Sequence, residues 1–311
     1  MGGGHDHSHD HGHAHGHGHA HGPPDYGRAF AIGVTLNLTF VAVEAFFGIL
    51  AHSMALLADA AHNLSDVFGL VLAWGASALA RRLPSSRRTY GLRKSTVLAA
   101  VANSLLLLFV TGGVVWEAIG RIRNPAPVHG KLMIIVAAIG IVINGCSALM
   151  FLSARKQDAN VRAAFLHLVT DAAVSGGVVL TGVVLSFTKW DWIDPVASLT
   201  ISGVILVGTW SLLRDALNLA LDAVPSHIDP DKVRAYLAAL PGVHEVHDVH
   251  IWAMSTTESA LTAHLVMSAP PEGFVGEVCA ALQEQFHIGH STIQIDPVAS
   301  PACRLAPEHL V

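Results

Sequence analysis

Residues 57–75 read LADAAHNLSDVFGLVLAWG, an apolar run broken by Asp59, His62 and Asp66 at intervals of three and four. An α-helix turns once in 3.6 residues, so side chains at these intervals project from one face. A second run, AAFLHLVTDAAVSGGVVL at 163–180, repeats the pattern with His167 and Asp171. With their flanks, both runs are long enough to cross a bilayer. A charge at the centre of a membrane helix costs roughly 2.5–3.5 kcal/mol on insertion scales, so intramembrane ionisable groups point to function. The two pairs supply two imidazoles and two carboxylates, a donor set suited to tetrahedral zinc. This reading implies a bundle of membrane helices that moves metal.

The rest of the chain fits that reading. Of 311 residues, 52% are hydrophobic and 13% charged, against about a quarter charged in soluble domains. No basic run suggests nucleic acid, and Cys146, Cys279 and Cys303 do not form a disulfide framework. Six stretches are long and apolar enough to span: Phe30–Leu50, Met54–Leu79, Ser95–Trp116, Leu132–Ser153, Ala163–Phe187 and Ile193–Leu213. Only Ala51, His52 and Ser53 join the first two, which must be antiparallel neighbours.

The loops after the second and fourth spans carry nine Lys and Arg residues, the opposite side four: Arg121, Arg123, Lys131 and Lys189. Positive loops face the cytosol, which places both termini there. No apolar segment of a secretory leader follows the start of the chain. Instead, histidine occupies every odd position from His5 to His21, alternating with Gly, Ala, Asp and Ser rather than running on as an affinity tag does. Residues 1–27 read as a disordered metal-binding tail. Residues 28–222 form the transport domain.

From residue 223 to 311 the composition is that of a small cytosolic α+β domain. Asp231–Leu240 and Glu272–Phe286 read as helices, and Val243–Met254, Ser259–Met267 and Ser291–Asp296 as strands. Leu261, Ala263, Leu265 and Met267 alternate onto one face, so the helices should cover that face of a sheet in a ferredoxin-like, metallochaperone-like unit.

Polar clamping between helices is the plain alternative for the intramembrane residues. Such bonds contribute only about 0.6–2 kcal/mol, too little to offset several buried carboxylates. Asn37, Glu44, Asn103 and Asn144 could line a cavity or bond to a neighbouring helix, and none is chosen as a ligand.

Five motifs together resemble the cation diffusion facilitator family of zinc transporters, of the bacterial cobalt–zinc–cadmium resistance type. They are SMALLADAAHNLSD at 53–66, YGLRKST at 90–96, HLVTD at 167–171, VHDVHIWAM at 246–254 and HIGHSTIQID at 287–296. The resemblance implies six membrane helices, a cytoplasmic domain, a homodimer and metal–proton antiport. Its transport site falls on His62, Asp66, His167 and Asp171, while Asp59 is not thereby made a ligand. Thr96 departs from the acidic residue found there in many members. In the cytosolic domain the resemblance implies metal ligands at His247, His264 and Asp296. Gln294 stands where some relatives have histidine, which argues against a second ion.

Charge selects the counter-ion. Ionised Asp66 and Asp171 demand compensation in a low-dielectric interior, which one Zn²⁺ or two protons supply. Metal needs deprotonated carboxylates and neutral imidazoles, so binding expels protons. Softness and geometry rank zinc first, with Co²⁺ or Cd²⁺ possible. A membrane metalloenzyme needs an open coordination position for water, which four protein ligands close. A proton-independent uniporter or channel is disfavoured by tight four-fold binding. The expected activity is zinc efflux across the cell (inner) membrane in exchange for protons, by a secondary transporter and not an enzyme. Its partners are a second copy, the lipid bilayer, divalent ions and protons.

Overall fold

The structure is a computed structural model that describes residues 26–152, 159–188 and 190–298. The tract from His5 to His21, Cys303 and His309 lie outside the described residues. Six helices come first: α1 (Tyr26–Ala51), α2 (Met54–Ala80), α3 (Ser95–Arg123), α4 (Gly130–Phe151), α5 (Ala159–Thr188) and α6 (Ile193–Ala220). Among the described residues, α2 to α6 each contain a stretch long and apolar enough to cross a membrane, and α1 contributes the shorter apolar stretch Asn37–Ala51. α3 continues past the predicted Trp116 to Arg123, because Arg121 and Arg123 in its last turn favour the negative end of the helix dipole. Phe109, Met150 and Phe187 stand exposed on the bundle surface, as expected where lipid is the solvent.

Packing divides the bundle. α5 lies chiefly against α4 and α3 against α6, while α2 touches α1, α3 and α6 broadly and α5 only narrowly. The α4–α5 contact depends on two glycines. A Cβ at Gly182 would sit 2.8 Å from Ile134 Cγ1 and 3.0 Å from the Gly130 carbonyl oxygen. A Cβ at Gly130 would sit 2.8 Å from the Gly182 carbonyl oxygen. Small residues let membrane helices approach this closely.

The α1–α2 turn is tight. His52 adopts a positive φ of 55°, and Ser53 caps α2 by accepting from the Leu56 N–H at 3.1 Å. Asp194 of α6 completes the cap. Its Oδ1 accepts from Ser53 Oγ at 2.6 Å and its Oδ2 from the Met54 N–H at 2.5 Å. A carboxylate on unpaired N–H groups at a helix N-terminus is favourable.

The C-terminal domain holds α7 (Pro230–Ala238), β1 (Val243–Ala253), β2 (Ser259–Met267), α8 (Phe274–Phe286) and β3 (Ile288–Asp296). Asp229 caps α7 by accepting from the Asp231 and Lys232 N–H groups, and Pro230 opens the helix. β2 is central, antiparallel to β1 and parallel to β3. The order α-β-β-α-β is that of a ferredoxin-like unit without its leading strand among the described residues. Leu261, Ala263, Leu265 and Met267 pack with Val233 and Leu237 of α7 and Val278 and Leu282 of α8. β3 starts at Ile288 rather than Ser291, and α8 at Phe274 rather than Glu272. Ile288 is fully buried beside β2, and Gly273, at φ 80°, ends the preceding turn.

Polar contacts join the domain to the bundle. Thr96 Oγ1 accepts from the Thr256 N–H at 3.1 Å, Arg93 pairs with Glu258 at 2.7 Å, Lys94 pairs with Asp222, and Tyr90 meets the His290 ring edge-on. Thr96 therefore does work that an acid could not do alike, because its hydroxyl also donates to the Arg93 carbonyl.

Replacing Gly182 by leucine should force α4 and α5 apart. Overpacking of this kind costs about 1–3 kcal/mol, so thermal unfolding in detergent should show a lowered Tm. An unchanged Tm would mean that the contact is not tight.

Candidate metal centre

α2 and α5 bring their two His–Asp pairs together midway along the bundle. His62 Nε2 lies 3.7 Å from Asp66 Oδ2 and 3.6 Å from Asp171 Oδ1. His167 Nε2 lies 3.5 Å from Asp66 Oδ2 and 3.6 Å from Asp171 Oδ2. The four side chains form a closed ring in which imidazoles alternate with carboxylates. Donor atoms of His62, Asp66 and Asp171 all fall within 4.8 Å of one another, and the imidazole centroids are 6.3 Å apart.

Those spacings suit a shared ion better than mutual hydrogen bonds. A good N–H···O bond is about 2.7–3.2 Å. Zinc ligands at about 2.0–2.2 Å on a tetrahedron have edges of about 3.3–3.6 Å. Asp171 Oδ1, which faces His62 Nε2, is buried without a hydrogen-bond partner, which leaves it able to ligate an ion. Side-chain exposure falls from 50% at His167 to 6% at Asp171, so the ring is open on one side and closed on the other.

Asp59 shares the stripe of His62 and Asp66 yet stands outside the ring. Its Oδ2 accepts from Ser175 Oγ of α5 at 2.8 Å. Glu44 of α1, also fully buried, accepts through Oε2 from Asn63 Nδ2 at 3.1 Å. Asn103 lies against Gly69 of α2, and Asn144 is buried in α4. Spacing along the chain does not place Glu44 and gives no sign of the roles of Asp194 and Ser175. Buried acids close to Pro or in apolar runs were visible, but nothing in one dimension pairs Asp194 with the N-terminus of α2.

A second cluster lies on the sheet of the C-terminal domain, on the face opposite its apolar core. His247 Nε2 is 3.4 Å and His264 Nδ1 3.1 Å from Asp296 Oδ2, and the three donor sets fall within 4.8 Å of one another. Both ring nitrogens of His247 are buried and lack a hydrogen-bond partner. Imidazole, imidazole and carboxylate with an unsatisfied nitrogen fit a zinc ion with one position left over. The Gln294 amide donates to Asp296 Oδ1 at 2.9 Å; with it, His264 holds the Asp296 carboxyl below its usual value. Gln294 is thus engaged with the acid beside it.

Two further residues belong to this cluster. His264 Nε2 faces Asp248 Oδ2 at 3.4 Å, and Asp248 Oδ1 meets His250 Nε2 at 2.9 Å. Simple alternation would point Asp248 away from His247. The strand instead carries a bulge, with the register stepping from His247↔His264 to His250↔Thr262 and φ of 51° at Asp248. A bulge re-aims the side chain it carries, which is why alternation failed here. His244 is exposed, while His290 packs on Tyr90. Trp252 is half-buried beside that loop.

A ring of acids and imidazoles within a bundle of apolar helices, joined to a small α+β domain that carries a second His–Asp cluster, is the arrangement of a membrane transporter for cations. Comparison with known proteins agrees. Residues 30–219 match the cation efflux transmembrane domain, and residues 225–298 the cation efflux protein cytoplasmic domain. The metal cation efflux system protein CzcD of Cupriavidus metallidurans is 34% identical over 299 residues, 95% of this chain and 90% of that one. The zinc transporter ZitB of Escherichia coli is 35% identical over 282 residues, 89% of each chain. The cadmium, cobalt and zinc/H(+)-K(+) antiporter of Bacillus subtilis is 29% identical over 279 residues, 88% of this chain and 89% of that one. A solved structure of the metal-bound C-terminal domain of the CzcD transporter is 36% identical, covering 22% of this chain and 99% of that one at a TM-score of 0.21. The chain belongs to the cation efflux family, that of the cation diffusion facilitators, and is a multi-pass membrane protein.

Asp248 orients His264 from the side away from Asp296, and loss of such a partner weakens metal binding about 10–100-fold. Asp248→Ala in the full chain, with the membrane ring silenced by Asp171→Ala, should therefore lower zinc affinity in chelator competition by that factor. Affinity equal to that of Asp171→Ala alone would remove Asp248 from the cluster.

Proposed function

We propose that this chain is a divalent-cation efflux transporter that exports Zn²⁺ from the cytosol in exchange for protons. The observation that carries the reading is the closed ring of His62, Asp66, His167 and Asp171 between α2 and α5. Zinc bound there is neutralised by two carboxylates, and protons replace it on the same groups when it leaves. Histidine titrates near physiological pH, so the swap needs no extreme gradient.

The narrow contact between α2 and α5 supports the same reading. Two ligands ride on the close-packed α4–α5 pair and two on α2 with α1, α3 and α6. A slide of one group past the other would open the ring to alternate sides, whereas charge neutrality disfavours a slide with the ring empty of both zinc and protons. Relatives named for zinc, cobalt and cadmium fit the donor set, with zinc preferred on geometry.

In this reading both termini face the cytosol of a cell inner membrane. The C-terminal domains pair two copies, and zinc on His247, His264 and Asp296 stiffens that domain. The histidine tail gathers cytosolic metal.

Purified protein in liposomes should move zinc one way and protons the other, followed with a metal indicator and a pH dye. Asp171→Ala should reduce zinc flux at least about 100-fold, since a four-ligand site cannot close around three, while the dimer persists on size exclusion. Zinc flux that ignores a pH gradient would overturn the exchange, and full flux in Asp171→Ala would overturn the site.

A further inference from the structure

Behind the ring lies a second acidic pair that the ligand set leaves unused. Glu44 and Asp59 are both 0% exposed; Asn63, one turn beyond Asp59 on α2, donates to Glu44 of α1, and each acid bears on the other's charge across that contact. Each has one oxygen held by a neutral donor: Asn63 Nδ2 on Glu44 Oε2 and Ser175 Oγ on Asp59 Oδ2. The remaining oxygens, Glu44 Oε1 and Asp59 Oδ1, are buried with no donor at all. Two carboxylates side by side in an apolar interior cannot both ionise. A proton between those two oxygens satisfies both at once.

Among the described residues, no cation neutralises the pair from a neighbouring helix. The ionisable groups nearest it are His62 on α2 and Asp171 on α5. Those of the other helices lie toward helix ends, at Glu117, Arg121 and Arg123 in α3, Lys131 in α4, and Asp194, Arg214 and Asp215 in α6, and Cys146 of α4 is exposed. The pair is tied to both ligand-bearing helices. Asn63 follows His62 directly, and Ser175 is one turn beyond Asp171. Asp59 precedes His62 by three residues, about 4.5 Å of helix rise, toward the end of the bundle away from the C-terminal domain.

We propose that Glu44 and Asp59 form a proton-holding pair that carries one of the two protons exchanged for each cation. The inference rests on the antiport reading above and assigns part of its counter-ion to residues that do not touch metal. With zinc bound, the ring is neutral and the pair, sharing one proton, bears a single negative charge. When zinc leaves, one proton goes to the imidazole–carboxylate ring and a second to the pair. The ring then bears the single negative charge and the pair is neutral. The total is the same in both states, a single negative charge that the exchange moves between pair and ring without adding another to the bilayer interior. The pair's position toward the far end of the bundle sets it on the side from which protons enter an exporter.

Two measurements on the full chain test this. In the first, protons released on zinc binding are counted by calorimetry in buffers of different ionisation enthalpy. The double variant Glu44→Gln with Asp59→Asn fixes the pair as neutral, and should lower the count from about two to about one. In the second, infrared difference spectra of the unaltered protein should show a buried carboxylic-acid band lost when zinc is added, and that band should be missing from the double variant. If the double variant does not fold, Asp59→Asn alone should shift or remove the band. No acid band in the unaltered protein, a band that survives the substitutions, or an unchanged proton count overturns the pair as a proton carrier and leaves it a structural clamp. Zinc flux without proton counter-flow overturns the antiport reading and the pair with it; counter-flow without the band overturns the pair alone.

Discussion

Charge inside a medium that cannot solvate it governs this molecule. Asp66 and Asp171, and behind them Asp59 and Glu44, place four carboxyl groups between helices whose outer surfaces are Phe, Leu, Val and Trp. An apolar surround stabilises them poorly, so each must meet a donor, a proton or a metal ion. Every notable contact in the core of the bundle answers that demand. Imidazoles face Asp66 and Asp171, Ser175 reaches Asp59, and Asn63 reaches Glu44. Asp194 solves the same problem differently, by placing its charge on the N-terminus of α2. The helices are arranged by apolar packing, but their registers follow from where these acids can be satisfied.

The same constraint links stability to transport. In the proposed exchange, the ring has two permitted loads, a dication or its proton equivalent. The sparse contact between α2 and α5 lets the ring sit at a seam rather than in a rigid core. By contrast, the α4–α5 contact is close at Gly130 and Gly182, so those helices pack as a unit. The C-terminal domain is fastened to the α2–α3 turn by Arg93 and to the start of α3 by Thr96. The domain therefore contacts the turn that joins α2, one side of the seam, to α3.

Much of this was legible in one dimension because its signals are local. Apolar length marks a span, three-and-four spacing puts His62 and Asp66 on one face, and period-two alternation puts Leu261, Ala263, Leu265 and Met267 on another. Each depends only on helix or strand geometry, which the backbone imposes on any sequence. The expected first span, Phe30–Leu50, lies within α1, Tyr26–Ala51. Asp59 was placed on the right face, yet local spacing could not say that Ser175 would take it out of the ring.

The sequence by itself determined the elements, the two His–Asp pairs and the separation of an apolar bundle from a mixed domain. Tertiary structure decided which acids face which donors. Asp194 meets residues more than 130 positions away, Asp59 meets α5, and Asp248 turns toward His264 only because a bulge breaks the strand's period. These outcomes depend on helix register and a backbone irregularity, which are settled by packing over the whole molecule. Residue type states that a buried charge needs a partner; only the fold says which one is within reach.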